Sequence, residues 1–227
     1  MPIAALSFDV PPYRLSGTVY GALLNHSSAL AALGPAVHES PYKAPPRAPV
    51  LNVKPRNTLS FDGEPVTVPA DAEELEVGAN LGIVIGRIAC RLCEANALEC
   101  VAGFIIVNDV SVPVESHYRP NVRQRARDGF CPLGPRVVTR SSVPDPDSLG
   151  IRVYVDGRLN ASSNTSGLIR KVATLLVDVT DFMTLAPGDI LAAGAAAPAP
   201  RVRAGQEVRI EIDSLGSLTN SFVRPAA

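Results

Sequence analysis

Residues 102–135 read AGFIIVNDVSVPVESHYRPNVRQRARDGFCPLGP, and the rest of the chain is best interpreted outward from them. The apolar run ends in Asn108-Asp109-Val110-Ser111, which puts an acid and a hydroxyl at the end of a strand. Arg127-Asp128-Gly129-Phe130-Cys131-Pro132-Leu133-Gly134-Pro135 reads as a rigid loop punctuated by Gly and Pro. Between the two lie Arg119, Arg123, Arg125 and Arg127, with Tyr118 beside them. A strand-end acid facing clustered guanidinium groups suggests a pocket for a small polyanion.

The chain has 227 residues, 46% hydrophobic and 19% charged, enough for one large or two small domains with a sizeable core. A net charge of −1 supplies no global field toward nucleic acid or membranes, so the arginines matter only where they converge. No run of about 18 apolar residues predicts a membrane-spanning helix. The opening MPIAALSFDVPPYRLSG lacks a cationic start and a long apolar core, so no signal peptide is expected and the expected location is cytoplasmic. Cys90 and Cys93 have the spacing of half a zinc site or a redox pair. His26, His38 and His117 supply no second pair at ligand spacing, so reduced, mostly buried thiols are expected.

Twenty-one prolines, 17 glycines and 5% aromatics suit a β-rich fold with many turns. Residues 17–24 read as a first strand, 26–34 as a short helix, and 41–58 as a Pro-rich loop around the short strand VLNV. Short extended pieces follow at 65–69 and 75–77, then a strand over 81–86 buried on both faces. The pattern predicts helix over 94–100, strand over 101–108, and a strand over 150–155 turning at Asp156-Gly157. Leu168, Val172, Leu175, Leu176, Val179 and Phe182 predict a long helix over 165–185, capped by Thr165 or Ser166. Strands at 189–193 and 206–213 close the chain. One domain over 1–227 is expected, with 1–55 as a possible N-terminal lobe and 56–227 as the catalytic-type core.

Four pieces resemble the fumarylacetoacetate hydrolase (FAH) superfamily in order and spacing. They are Val84-Ile85-Gly86, the Asn108-to-Ser111 segment, the Asp128-to-Pro135 loop, and Pro187-Gly188-Asp189 followed by Gly194. Asn25-His26, the stretch Ser40 to Pro46, Lys54 to Thr58 and Tyr118-Arg119-Pro120 narrow the likeness. They are similar to the N-terminal half, or first subunit, of the bifunctional isomerase/decarboxylases of homoprotocatechuate (4-hydroxyphenylacetate) breakdown. The resemblance implies an α+β, mainly β fold, an FAH-like mixed β-roll with a few flanking helices. It implies a small di- or tricarboxylate substrate, with 2-hydroxyhepta-2,4-diene-1,7-dioate isomerised or 5-oxopent-3-ene-1,2,5-tricarboxylate decarboxylated. It also implies a homodimer, or a heterodimer with a second FAH-like subunit.

The family's chemistry implies Mg²⁺ or Mn²⁺ held by a Glu-x-Glu pair and a strand-end Asp, acting as a Lewis acid on an enolate. The Asp is present as Asp109, but Gly78 and Asn80 stand where the Glu pair belongs. Glu74 and Glu76 lie four residues upstream, about 13 Å along an extended strand, and read as a decoy. With Asp109 as its only ligand, the metal site is incomplete, and weak or absent metal binding is expected. Ala29 and Ala32 fall where some members carry a His/Glu proton-transfer pair. Arg125 replaces the family Lys, keeping the charge without basicity near neutral pH, and Gly194-Ala195-Ala196 replaces a Gly-Thr-Pro motif.

The candidate catalytic residues are therefore Arg125, Asp109 and His26; the candidate substrate-binding residues are Tyr118, Arg119, Arg127, Asn25 and Lys54. Each has a plainer alternative. Asp109 reads first as an ion-pair partner of Arg125. Arg119, Arg125 and Arg127 are either solvated or grip substrate carboxylates. Tyr118 reads first as a core aromatic, His26 as a structural histidine, Lys54 as part of a Pro-shaped loop and Asn164-Thr165 as a helix cap. Two roles stand open: an isomerase/decarboxylase subunit, or a non-catalytic partner of a metal-competent sister chain.

Overall fold

The computed structural model describes residues 18–114 and 116–225. The expected strand over 17–24 is β1 (Val19–Leu23) from its second described residue onward, residue 17 lying outside the described residues. Strands β2 (Val50–Lys54), β3 (Leu59–Phe61), β4 (Val66–Thr67) and β5 (Leu75–Glu76) follow, then β6 (Ala79–Ile85) and β7 (Val101–Asn108). The second half holds β8 (Cys131–Thr139), the hairpin β9 (Gly150–Val155) and β10 (Arg158–Asn164), then β11 (Ile190–Ala192), β12 (Arg201–Val202), β13 (Glu207–Ile212) and β14 (Gly216–Val223). Three helices flank them: α1 (Ser27–Ala31), α2 (Val122–Arg125) and α3 (Val172–Phe182). The fold is α+β and mainly β, as expected.

Seven strands form one mixed sheet in the order β2-β1-β11-β6-β7-β8-β3. Five form a second, β10-β9-β13-β14-β4, and β12 pairs with β5. Residues 18–55 supply β1 and β2 to the large sheet, with β1 parallel to β11, so this stretch is woven into the core layer. All seven residues of β6 are buried. Alternation sends Leu81, Ile83 and Ile85 into the main core with α3, while Val84 joins Ile105, Val107, Leu133 and Ile190 in a second core on the other face. A sheet covered on both faces is why this stretch reads as a continuous apolar run.

Several sequence-based expectations change. The expected loop over 127–135 enters β8 at Cys131, and the strand passes Pro132 and Pro135 because its register against β7 shifts between Phe104 and Ile106. An irregularity of this kind accommodates a residue with no N–H to give the ladder. Residues 94–100 form only a 3-10 turn, Ala97–Cys100. The long helix starts seven residues late. Thr165–Gly167 is a 3-10 turn capped by the Asn164 side chain, and Leu168 bridges to His26. The α3 cap comes from far away, the Asp147 Oδ1 accepting from the Val172 N–H at 2.9 Å. Helix α3 buries Val172, Leu175, Leu176 and Val179, roughly 1.5–3 kcal/mol each, whereas Phe182 is exposed. Asp156 and Gly157 both take positive φ, as a tight hairpin turn requires. Cys100 and Cys131 are buried thiols, but Cys90 and Cys93 are exposed. Among the described residues no helix is long and apolar enough to cross a membrane.

Candidate functional site

A cavity of about 260 Å³ opens where the N-terminal end of β6 meets the C-terminal end of β7. Gly78 and Asn80 form its floor beside Asp109. Arg125 reaches it from α2, His117 from the segment between β7 and α2, and Glu76 from β5. Ala195 to Ala199 give it an apolar wall, and Ala29 lines it where the resemblance implied a catalytic side chain.

Asp109 sits between two cations. The Lys54 Nζ lies 2.8 Å from its Oδ1, and the Arg125 guanidinium donates to its Oδ2 at 2.9 Å. Asn52 adds a longer bond at 3.3 Å. Burial alone would raise the Asp109 carboxyl, but the Lys54 ammonium and the Arg125 guanidinium outweigh it and hold it below the usual carboxylate range. The ion pair of Asp109 with Arg125 expected from the sequence is therefore present.

Lys54 is not on the cavity wall. It is almost fully buried, and its ammonium donates to the carbonyls of Val110 (2.6 Å), Arg125 (2.9 Å) and Phe130 (2.9 Å). Three donors meet three carbonyls, so none remains for a substrate. Its place is that of a clamp joining the end of β7, α2 and the start of β8. The sequence signal was a lone lysine closing an apolar strand, which local reading assigned to the following proline.

Other expected site residues also fall elsewhere. Asn25 is buried, its amide spent on the Arg170 and Ala193 carbonyls and the Arg170 N–H, because it stitches the β1 end to the segment before α3. His26 is buried and caps α1. Its Nδ1 accepts from the Ser28 N–H and hydroxyl, and its Nε2 lies 3.3 Å from the Asn164 carbonyl. That pattern selects the Nε2–H tautomer, and His26 is not among the residues lining the cavity. Arg127 and Arg123 bind Asp71 at the surface, Arg119 is exposed, and Tyr118 is exposed with its ring edge-on to Tyr42. The arginine cluster thus diverges along α2 and its flanks, and only Arg125 turns inward.

Glu76, read as a decoy, lines the cavity. The pairing of β6 with β7 continues in register beyond Ala79–Asn108, Gly78 accepting from the Asp109 N–H and Glu76 pairing with Ser111, its N–H bonded to the Ser111 carbonyl at 2.8 Å. Alternation therefore puts Glu76 on the same face as Gly78 and Asn80, toward the cavity. Glu74 stays outside, paired with Arg201 and Arg203. Burial pushes the Glu76 carboxyl up, against the opposing pull of Arg201 and Arg125. His117 was not singled out. Burial lowers it first and Arg125 lowers it further, so its ring is neutral near pH 7.

This donor set does not suit a hard divalent cation. Asp109 already serves two cations, and the Asn80 Oδ1 accepts from the Gly194 N–H at 2.6 Å. A Cβ at Gly78 would meet the Asp109 carbonyl at 2.5 Å, so a glutamate cannot be restored there without moving β7. Among the described residues no group of three or more His, Cys, Asp or Glu is placed to hold a metal.

Comparison with known proteins gives the relationship. The family model described as fumarylacetoacetate (FAA) hydrolase C-terminal matches residues 18–223. A 4-hydroxyphenylacetate degradation bifunctional isomerase/decarboxylase from Escherichia coli is 38% identical over 92% of this chain and 48% of its own length. The chain thus spans about half the length of the first curated relatives it matches. The crystal structure of a 5-carboxymethyl-2-hydroxymuconate delta-isomerase from Mycobacterium smegmatis superposes with a TM-score of 0.79 at 30% identity, covering 94% of this chain and 81% of that one. A maleylpyruvate hydrolase from Sphingobium sp. SYK-6, solved with manganese(II) and pyruvate, superposes with a TM-score of 0.75 at 26% identity over 92% of this chain and 71% of that one. A divalent metal is therefore found within the family. By its sequence and its fold, this chain belongs to the fumarylacetoacetate hydrolase family.

Proposed function

We propose that this chain is one half of an isomerase/decarboxylase for small 2-oxo di- and tricarboxylates, of the kind used in 4-hydroxyphenylacetate breakdown. Within it, the chain is the supporting half and pairs, as a homo- or heterodimer in the cytoplasm, with a metal-competent FAH-like sister. The observation that carries this reading is the Lys54–Asp109–Arg125 cluster, which spends the strand-end carboxylate on two protein cations. Two positive charges on one buried carboxylate repel an incoming Mg²⁺ or Mn²⁺, so weak or absent metal binding follows. The half-length match to a bifunctional relative supports a partner.

A second reading has one observation in its favour: Arg125, Glu76 and His117 line the same cavity. In an isomerisation there, a C–H bond breaks, its proton passes to the Glu76 carboxylate, and the electron pair delocalises onto an enolate oxygen beside Arg125. The proton then returns at the distal carbon. His26 takes no part in this scheme, since it does not line the cavity.

The test is turnover of the conjugated hydroxydienedioate, followed by its absorbance. The supporting role expects no turnover by the purified chain with excess Mg²⁺ or Mn²⁺, and turnover once a Glu-x-Glu-bearing sister chain is added. Turnover by the chain alone, abolished by Arg125→Ala, would establish the second reading instead.

A further inference from the structure

The cavity holds unsatisfied chemistry that the ion-pair cluster does not explain. Arg125 is only 8% exposed. One terminal nitrogen is spent on Asp109, yet its Nε is buried without an acceptor. The His117 Nδ1, on the same cavity, is also buried and unpartnered. Buried polar atoms without partners are costly, and such orphans mark places where a ligand completes the network. The stretch Ala195 to Ala199, which lines the same cavity, offers no side-chain acceptor.

We infer that this cavity is a metal-independent carboxylate site, in which the Arg125 guanidinium stands in for a divalent cation and grips one carboxylate of a small organic acid. Charge favours it locally: Lys54 and Arg125 together exceed the single charge of Asp109, so this cluster carries one net positive charge, which the Glu76 carboxylate on the same cavity offsets. Position favours it as well. Lys54 holds the backbone carbonyl of Arg125 at 2.9 Å and Asp109 holds its guanidinium at 2.9 Å, so the residue is anchored at backbone and side chain before any ligand arrives. Pre-organised donors lose little freedom on binding. The volume, about 260 Å³, is at the small end for ligand pockets and suits an acid of a few carbons.

One group opposes an incoming anion. Glu76 lines the cavity and contacts Arg201 at 3.6 Å, itself bonded to Glu74 at 2.8 Å. The other charged or titratable groups around it are Arg125, Asp109 and the neutral His117. Removing the Glu76 charge therefore strengthens binding, and removing the Arg125 charge weakens it.

This concerns the cavity discussed above but needs neither a sister chain nor turnover, so the two readings fail in different experiments. Succinate is titrated calorimetrically into the purified chain in excess EDTA, with neutral succinamide as control. Saturable binding of succinate alone is expected, unchanged by adding Mg²⁺ or Mn²⁺. Arg125→Gln should weaken it about tenfold or more, the scale of a lost charged hydrogen bond. Glu76→Gln should tighten it several-fold at pH 7, a gain that a general loss of structure cannot imitate. No binding in EDTA, binding that appears only with metal, or no tightening in Glu76→Gln would overturn the inference, even if Arg125→Gln fails to fold.

Discussion

Replacing Lys54 by Met isolates what the buried ammonium does. The two side chains are of similar length, so packing changes little while the charge disappears. Lys54 makes three bonds to carbonyls, at 2.6, 2.9 and 2.9 Å, and an ion contact of 2.8 Å with Asp109. Its loss strands three buried carbonyls and leaves Asp109 with Arg125 as its only cation. Removing one partner of a buried ion pair costs about 3–5 kcal/mol, and the carbonyl penalties overlap with that figure because one ammonium serves all four oxygens. A domain is typically stable by about 5–15 kcal/mol, so Lys54→Met should lose roughly a fifth of it or more. In urea unfolding the midpoint should fall by roughly 2 M with an unchanged slope. Adding Asp109→Asn should recover part of the loss, because the stranded charge is gone, with a coupling of about 2 kcal/mol. A Lys54→Met loss below about 1 kcal/mol, or strictly additive single substitutions, would refute the clamp.

The same cluster sets an acid limit. The Asp109 carboxyl is held below its ordinary value near 3.8, so its contribution is fully present above that pH and lost as pH falls through the lower folded-state value. Thermal melts should show a fall in Tm below about pH 4 that Asp109→Asn flattens. Glu76 has the opposite sign: its folded-state value is raised, so its ionisation weakens the fold as pH rises through that value. Glu76→Gln should therefore gain stability relative to the native chain at pH 7 and show no gain at pH 4, measured by urea unfolding at both. Gly78→Ala should cost about 1–3 kcal/mol, because its Cβ would lie 2.5 Å from the Asp109 carbonyl, and a midpoint equal to the native chain's would show that β7 yields freely.

The family and the β-rich fold were legible in the order of local motifs, and so were the apolar strands β6 and β7. These depend on alternation, apolar runs and turn residues, which neighbouring positions determine. The absence of a Glu-x-Glu pair before β6 was equally plain, as was the pairing of Asp109 with Arg125, which lie 16 positions apart in one motif. Lys54 and Glu76 were misread and His117 was passed over, since each acquires its role from contacts distant in sequence. Lys54 meets carbonyls 56, 71 and 76 positions away, and Glu76 lines the cavity because its pairing with Ser111 carries the β6–β7 register on past Gly78. Four arginines in nine residues looked like one cationic cluster, yet α2 and its flanks send Arg123 and Arg127 to Asp71 and only Arg125 inward. Local sequence thus determined which strands and turns form, because backbone preferences act over a few residues. Tertiary structure alone decided which charges are buried together, because burial and pairing arise only when distant strands close over one another.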